Sequence, residues 1–318
     1  MDTDKINVST TNVERTKRTD ILIFGYIRGG TTFSGRIFGF RHNAFYFYEP
    51  LINNTRFGWI GKKEWCSSTR PHCREPSKVR EQSDTAIDIL TNIYRCNLTG
   101  LGPSTIVKRV HVRRGGPSWE KYEVCLKKGK PTCVQDLSTM CLASQSLVTK
   151  VLRLSFDMVE ELLLRIPTLK VVHIIRDPRP VVLSRYKMWR RPFQNSSAVA
   201  HSLCRKMSLD ILISESLKMK FPGRIIILPY ENLAEHPFEA TKGLFQSLQI
   251  PFTELDAQMV DYLTNADADA VWKGSRGNST QAASRWIDKI SEKVLASINK
   301  ACSPVFGLMS KYVSYSVS

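Results

Sequence analysis

The segment Phe24-Gly-Tyr-Ile-Arg-Gly-Gly-Thr-Thr-Phe-Ser-Gly-Arg-Ile-Phe38 constrains this chain more than any other, because an apolar run at residues 21–24 breaks into a Gly- and Thr-rich turn and then an apolar-periodic helix. A strand that hands over to a helix in this way leaves the first-turn N–H groups and the positive end of the helix dipole facing outward. That is a place for an anion. Gly29 and Gly30 permit a tight turn and close backbone approach, Thr31 and Thr32 add hydroxyls, and Arg28 stands where a cation would meet the far end of a bound phosphate group.

In P-loop NTPases the Lys follows the last Gly, and the next Ser or Thr holds magnesium. Here the cation comes first and no Walker-type hydroxyl and acidic pair is present, so no metal is expected. A second segment bears on the same ligand. Residues 169–175 form a short β-branched run that reads as a buried parallel strand, followed by Arg176-Asp-Pro-Arg-Pro-Val-Val-Leu-Ser184. Arg176 at the strand end and Ser184 two turns into the next helix are both expected at the C-terminal edge of the sheet, where ligands of open α/β folds collect.

An Arg ahead of Gly-Gly-Thr-Thr-Phe, with a later strand-end Arg and a Ser eight residues on, resembles the sulfotransferases, whose donor is 3′-phosphoadenosine 5′-phosphosulfate (PAPS). Phe45-Tyr-Phe-Tyr-Glu-Pro-Leu51, Thr149-Lys-Val-Leu-Arg-Leu154, Ile227-Leu-Pro-Tyr-Glu-Asn-Leu-Ala-Glu-His-Pro237 and Gly274-Ser-Arg-Gly-Asn-Ser279 fall in the order seen in Golgi carbohydrate 6-O-sulfotransferases of the chondroitin, keratan and N-acetylglucosamine group. The resemblance spans residues 20 to 312 or so. It implies a three-layer α/β fold, P-loop-NTPase-like, with a central parallel sheet and helices on both faces. It also implies transfer of a sulfuryl group from PAPS to a sugar 6-hydroxyl of an anionic glycan or glycoprotein in the Golgi lumen. Tyrosylprotein sulfotransferases share much of the spacing and stand as a competing reading. A non-catalytic glycan-binding protein on a sulfotransferase scaffold is a third.

Residue by residue, the resemblance assigns Arg28, Gly29, Gly30, Thr31, Thr32 and Phe33 to the 5′-phosphosulfate loop, and Arg176 and Ser184 to the 3′-phosphate. Tyr230 falls to the adenine or ribose side, Ser275 and Arg276 to a loop closing over the nucleotide, and Lys150 and Ser275 to the transferring group. Arg28 also stabilises the leaving phosphate. It cannot act as a general acid, because guanidinium does not deprotonate in proteins. Glu49 is assigned as the base for the acceptor hydroxyl, with Lys150 and His173 next in line. The aromatic run 45–48 should raise its pKa and Arg28 should lower it, so the direction stays open. Two features depart from the family pattern: Trp286 is followed by Ile287 instead of Arg, and Asn278 puts a glycosylation sequon in the nucleotide loop, where a glycan would obstruct binding.

A net charge of +17 implies an anionic partner, and basic residues recur in short clusters such as Lys127-Lys128 and Arg190-Arg191. No recognition-helix, zinc-finger or RNP signature accompanies them, so nucleic acid is not expected. The eight cysteines make no pair of Cys-x-x-Cys knuckles. Their even number, with sequons at Asn7, Asn53, Asn97, Asn195 and Asn278, suits an oxidising, glycosylating lumen. The resemblance implies a bridge between Cys204 and Cys302.

The pattern predicts strands at 21–25, 105–110, 170–175 and 225–228, and helices at 31–40, 156–165, 179–189, 198–220, 237–248 and 289–301. The insert from about residue 59 to 78 and the region 125–141 read as disulfide-held loops. Residues 1–19 are polar and stem-like, and 20–318 read as one domain. No segment approaches the ~20 apolar residues of a membrane span. Relatives of this type carry an N-terminal anchor, so this sequence is expected to begin in the stem or to lack its natural start.

Overall fold

A computed structural model describes residues 18–39, 41–53, 58–62, 64–68, 73–74, 79–106, 111, 114–188, 195–265 and 278–313. Five strands, β1 (Thr19–Phe24), β2 (Ala44–Tyr48), β6 (Ser146–Val151), β7 (Leu169–Ile175) and β8 (Ile225–Pro229), form one sheet in the order β2-β6-β1-β7-β8. Every pair in it is parallel. A separate antiparallel sheet joins β3 (Gly58–Ile60), β4 (Trp65–Ser67) and β5 (Cys73–Arg74).

The strands read as unbroken apolar runs because both faces are covered. Leu22, Phe24, Phe45, Phe47 and Val171 face one side, where they pack with Ile87, Leu90 and Ile93 of α2 (Val79–Tyr94), and with α3 (Pro117–Lys127), α4 (Cys133–Leu142) and α5 (Val159–Arg165). Ile21, Ile23, Tyr46, Tyr48 and Val172 face the other, against Phe33 and Ile37 of α1 (Thr31–Gly39). That side also carries α8 (Tyr230–Glu235) and α9 (Pro237–Leu248), whereas α7 (Ser196–Lys220) sets Leu217 against the first face and shares a third cluster with α6 (Pro178–Met188). The chain goes on through α10 (Glu254–Asn265), α11 (Ser279–Ser284) and α12 (Glu292–Met309). This is the three-layer α/β architecture the sequence pattern implied.

Several local expectations need correction. Residues 103–106 form a helical turn rather than the start of a strand, with Pro103 at a position where its missing N–H costs nothing; 107–110 lie outside the described residues. The fourth and fifth strands of the main sheet are instead β2 and β6. The region 125–141 is largely helical: Cys125 of α3 bonds Cys133 of α4 across a short turn, and Cys141 bonds Cys96. The insert after residue 58 is the small sheet, tied by Cys66–Cys73. Cys204 and Cys302 are bridged, pinning α7 to α12, which runs on to Met309. β1 starts at Thr19, inside the segment read as stem.

Candidate active site

Each strand of the main sheet delivers one candidate residue to the same edge. The turn after β1 carries Arg28 to Thr32, Glu49 follows β2, Lys150 lies near the end of β6, Arg176 follows β7, and Tyr230 follows β8. Residues far apart in sequence therefore meet because parallel strands all point the same way, which is why such sheets bind ligands at that edge.

On the β1 and β7 side the backbone is bent into a cradle. Arg28 and Gly30 both adopt positive φ, +68° and +89°. A Cβ on Gly30 would run into the Tyr230 ring, so only glycine fits. The carbonyls of Ile27 and Arg28 are turned away and held, by Arg185 Nε at 2.9 Å and by an Arg176 guanidinium nitrogen at 3.3 Å. Burial, partly offset by Tyr26, lowers Arg185 to about 9, still well above neutral pH. Helix α1 closes on the Gly30 carbonyl, which accepts from the amides of Phe33 and Ser34. The N–H groups at the head of that helix thus project into the cradle with the dipole behind them. Arg28 Nε donates to Ser184 Oγ at 2.8 Å, and the Arg176 guanidinium lies 4.1 Å over the Tyr230 ring. The Tyr230 hydroxyl is buried with no hydrogen-bond partner among the described residues. A buried orphan hydroxyl beside a stacked guanidinium and a helix head suits a ligand that has both phosphate groups and a polar ring system.

On the β2 and β6 side sits a buried carboxylate. Glu49 is 6% exposed and also has positive φ, +45°. Such a conformation costs a non-Gly residue of order 1–3 kcal/mol and is found where the surroundings impose it. Here the surroundings are two cations: Lys150 Nζ donates to Glu49 Oε1 at 2.9 Å, and Arg153 to Oε2 at 3.3 Å. Burial alone would push the Glu49 carboxyl up. Lys150 and Arg153 outweigh it and hold the group below its ordinary value. The question that the sequence left open is thereby decided in favour of the cations, although the cations are not Arg28. Lys150 is itself 1% exposed, on a strand, and also donates to Thr32 Oγ1 at 3.1 Å. One ammonium group therefore links the anion cradle to the carboxylate.

His173, the reserve base, is out of play. It lies fully buried beneath the cradle, with Tyr26 Oη at 2.9 Å from one ring nitrogen and Ser214 Oγ at 3.1 Å from the other. Burial, and then the charge of Lys206, push its pKa to about 3, so the ring is neutral. Ser275 and Arg276 lie outside the described residues. Asn278 caps α11, accepting from the Gln281 amide, and Trp286 stacks under the Arg179 guanidinium at 5.0 Å. Sequence reasoning did not single out Arg153, Arg185 or Tyr48 as site residues. Arg153 stood in a quoted motif three residues after Lys150, but nothing local said that the strand would carry both to one carboxylate.

The chain matches the family model described as Sulfotransferase family over residues 20–254, and it belongs to that family. Among curated proteins it is similar to carbohydrate sulfotransferase 1 of Rattus norvegicus, 24% identical over 91% of this chain and 78% of that protein. It is also similar to carbohydrate sulfotransferase 3 of Homo sapiens, 22% identical over 92% of this chain and 67% of that one. Among solved structures, mouse sulfotransferase SULT7A1 complexed with PAP is similar at a TM-score of 0.47 and 10% identity, over 93% of this chain and 89% of the other.

Proposed function

We propose that this enzyme transfers a sulfuryl group from PAPS to a sugar 6-hydroxyl of a glycan, of the chondroitin, keratan or N-acetylglucosamine type. The observation that carries the reading is the meeting of two sites at one sheet edge in a member of this family: an anion cradle and a buried carboxylate, joined by Lys150. When bound, PAPS supplies the sulfuryl group, which the acceptor oxygen takes as 3′,5′-ADP departs.

The protein's part is electrostatic and positional. Arg28, the amides of the α1 head and the hydroxyls of Thr31 and Thr32 hold the 5′ end of the donor. Arg176 and Ser184 hold the 3′-phosphate, with Tyr230 on the nucleoside side, while Phe33 of the 5′-phosphosulfate loop packs into the core beneath it. A phosphate leaving group has a second pKa near 6, so it needs charge stabilisation more than a proton, which Arg28 supplies without titrating. Glu49 accepts the proton of the acceptor hydroxyl. A carboxylate held low by two cations is a weak base, and Lys150, which also donates to Thr32, ties its charge to that of the donor cradle. Ser275 and Arg276 take their roles, over the transferring group and the nucleotide, from family resemblance alone. Four disulfides suit an oxidising compartment, and the Golgi lumen is the one this reading assigns.

Two measurements test the reading together. Titration with 3′,5′-ADP should raise the melting temperature saturably, following RT ln(1 + [L]/Kd). Labelled sulfate should pass to defined glycans and not to tyrosine peptides. A protein that shows no stabilisation by 3′,5′-ADP is a glycan binder on this scaffold, and labelling of tyrosine peptides in place of glycans transfers the reading to the tyrosylprotein type.

A further inference from the structure

The cations around the carboxylate extend beyond Lys150 and Arg153 to Arg114. Tyr48, which precedes Glu49, has Lys150 Nζ 4.0 Å from its ring centroid and the Arg114 guanidinium 5.0 Å from it. Its hydroxyl accepts from an Arg114 guanidinium nitrogen at 2.7 Å. An exposed guanidinium is thus held on the residue that precedes the base, over a ring that Lys150 also touches. Surface arginines ordinarily keep their freedom, since ordering a long side chain costs about as much as an exposed contact returns. Arg114 is ordered in advance by a stack and a hydrogen bond, and among the described residues no carboxylate pairs with it.

A second guanidinium lies nearby. Arg36 of α1 is buried near the same tyrosines; burial, and then the charge of Arg114, lower its pKa. Two like charges drawn together beside an aromatic patch raise the local positive potential, which favours an anion from solution. The donor's phosphate groups already have Arg28, Arg176 and Ser184 on the far side of Lys150. The anion at Arg114 therefore belongs to the acceptor.

Resting on the function proposed above, we propose that Arg114, seated on Tyr48, is an anion subsite for the acceptor, so that the preferred glycan carries a carboxylate or an ester sulfate on the sugar unit beside the reacting hydroxyl. A planar guanidinium that is fixed before binding suits either group, because both present oxygens that can accept two parallel hydrogen bonds. An uncharged glycan gains nothing there.

The test compares wild type, Arg114→Ala, Arg114→Lys and Tyr48→Phe on matched acceptors: chondroitin against its carboxyl-reduced form, and keratan sulfate against its desulfated form. Arg114→Ala should raise KM about 10- to 100-fold on the charged member of the pair that the enzyme prefers, the range for one charge-assisted contact, with KM on its neutral counterpart near wild type. The pair that responds identifies the anion. Arg114→Lys should recover only part of the effect, and Tyr48→Phe should fall between, since it keeps the ring but loses the hydroxyl that holds Arg114. Equal effects on charged and neutral acceptors overturn the proposal, as does loss of 3′,5′-ADP affinity in Arg114→Ala, which would give Arg114 to the donor. A wild-type protein that binds 3′,5′-ADP and sulfates no glycan overturns the reading of the site, and this inference with it. Glycan sulfation that is indifferent to Arg114 overturns this inference alone.

Discussion

The half of the sheet edge that carries Arg28, Arg176, Ser184 and Tyr230 is made of turns and helix starts, whereas the half that carries Glu49, Lys150 and Arg153 is made of a strand pair and the few residues just past its ends. The first half collects positive charge and backbone N–H groups at the head of a helix. The second buries a carboxylate between two cations at 2.9 and 3.3 Å. A site waiting for an anion can stay cationic because the ligand completes it. A site that must handle a proton needs its own negative charge, which survives burial only if paired. The difference between the halves is therefore what a donor site and an acid–base site should show, and each perturbation below should fall on one half.

The largest effect is expected at Glu49. Glu49→Gln keeps the size and most of the hydrogen bonding but removes proton acceptance, so turnover should drop ~10²–10⁴-fold. Affinity for 3′,5′-ADP should hold. If donor binding falls in parallel with turnover, the halves are not separable and Glu49 acts by orienting the cradle through Lys150 and Thr32.

The halves also differ in how far they could be read from the chain. The cradle is legible because every element of it is local: Arg28, Gly29, Gly30, Thr31 and Thr32 are consecutive, and Arg176 and Ser184 flank one helix start. Strand, turn and helix periodicity carry that information within a dozen residues. The base half depends on register. Glu49 and Lys150 were found only by resemblance, and in the fold Lys150 is buried on β6, paired in register with Tyr48 of β2. Those two residues are a hundred positions apart, and no local pattern says which strands will be neighbours. The aromatic run 45–48 alternates between the two cores, which makes every position apolar and hides the strand's period. Arg153 and Arg114 were missed for the same reason, since each acquires its meaning from a partner that the topology supplies.

The second perturbation strikes behind the cradle. Cys204 and Cys302 belong to a core cluster with Tyr26, Ile175, Val181 and Val182, directly under the turn and the helix that carry Arg28 and Ser184. Closing a loop with a sequence separation of 98 should contribute ~4–5 kcal/mol in the chain-entropy account. The double substitution to Ser should therefore lower the melting temperature and weaken 3′,5′-ADP binding together, with any residual turnover showing an unchanged KM for acceptor. Finding either thiol alkylatable in the native, active protein would remove the premise.

Third in size is Arg176→Ala. It removes the guanidinium stacked on Tyr230 and one support of the Arg28 carbonyl, so 3′,5′-ADP should bind more weakly by ~1.5–3 kcal/mol while acceptor KM stays near wild type. Calorimetry that gives the wild-type Kd would sever Arg176 from the donor half.

The smallest effect concerns His173, and it sharpens the comparison because it places an acid-sensitive group under the donor half alone. In the folded protein its pKa is depressed from 6.5 to about 3, so the unfolded chain binds a proton more readily than the native one. Its stabilising contribution is complete above pH 6.5 and is lost as pH falls from there toward 3, with a slope approaching ~1.4 kcal/mol per unit. Near pH 6 the loss is only ~1 kcal/mol or less, growing as the medium acidifies. His173→Gln lowers the overall stability by disturbing the bonds to Tyr26 and Ser214, yet it should flatten this slope, because the titrating group is gone. Denaturant unfolding of both proteins between pH 5 and 8 decides the matter. Parallel curves would mean that the acid response comes from elsewhere, and that the residue beneath the cradle serves only to fix Tyr26.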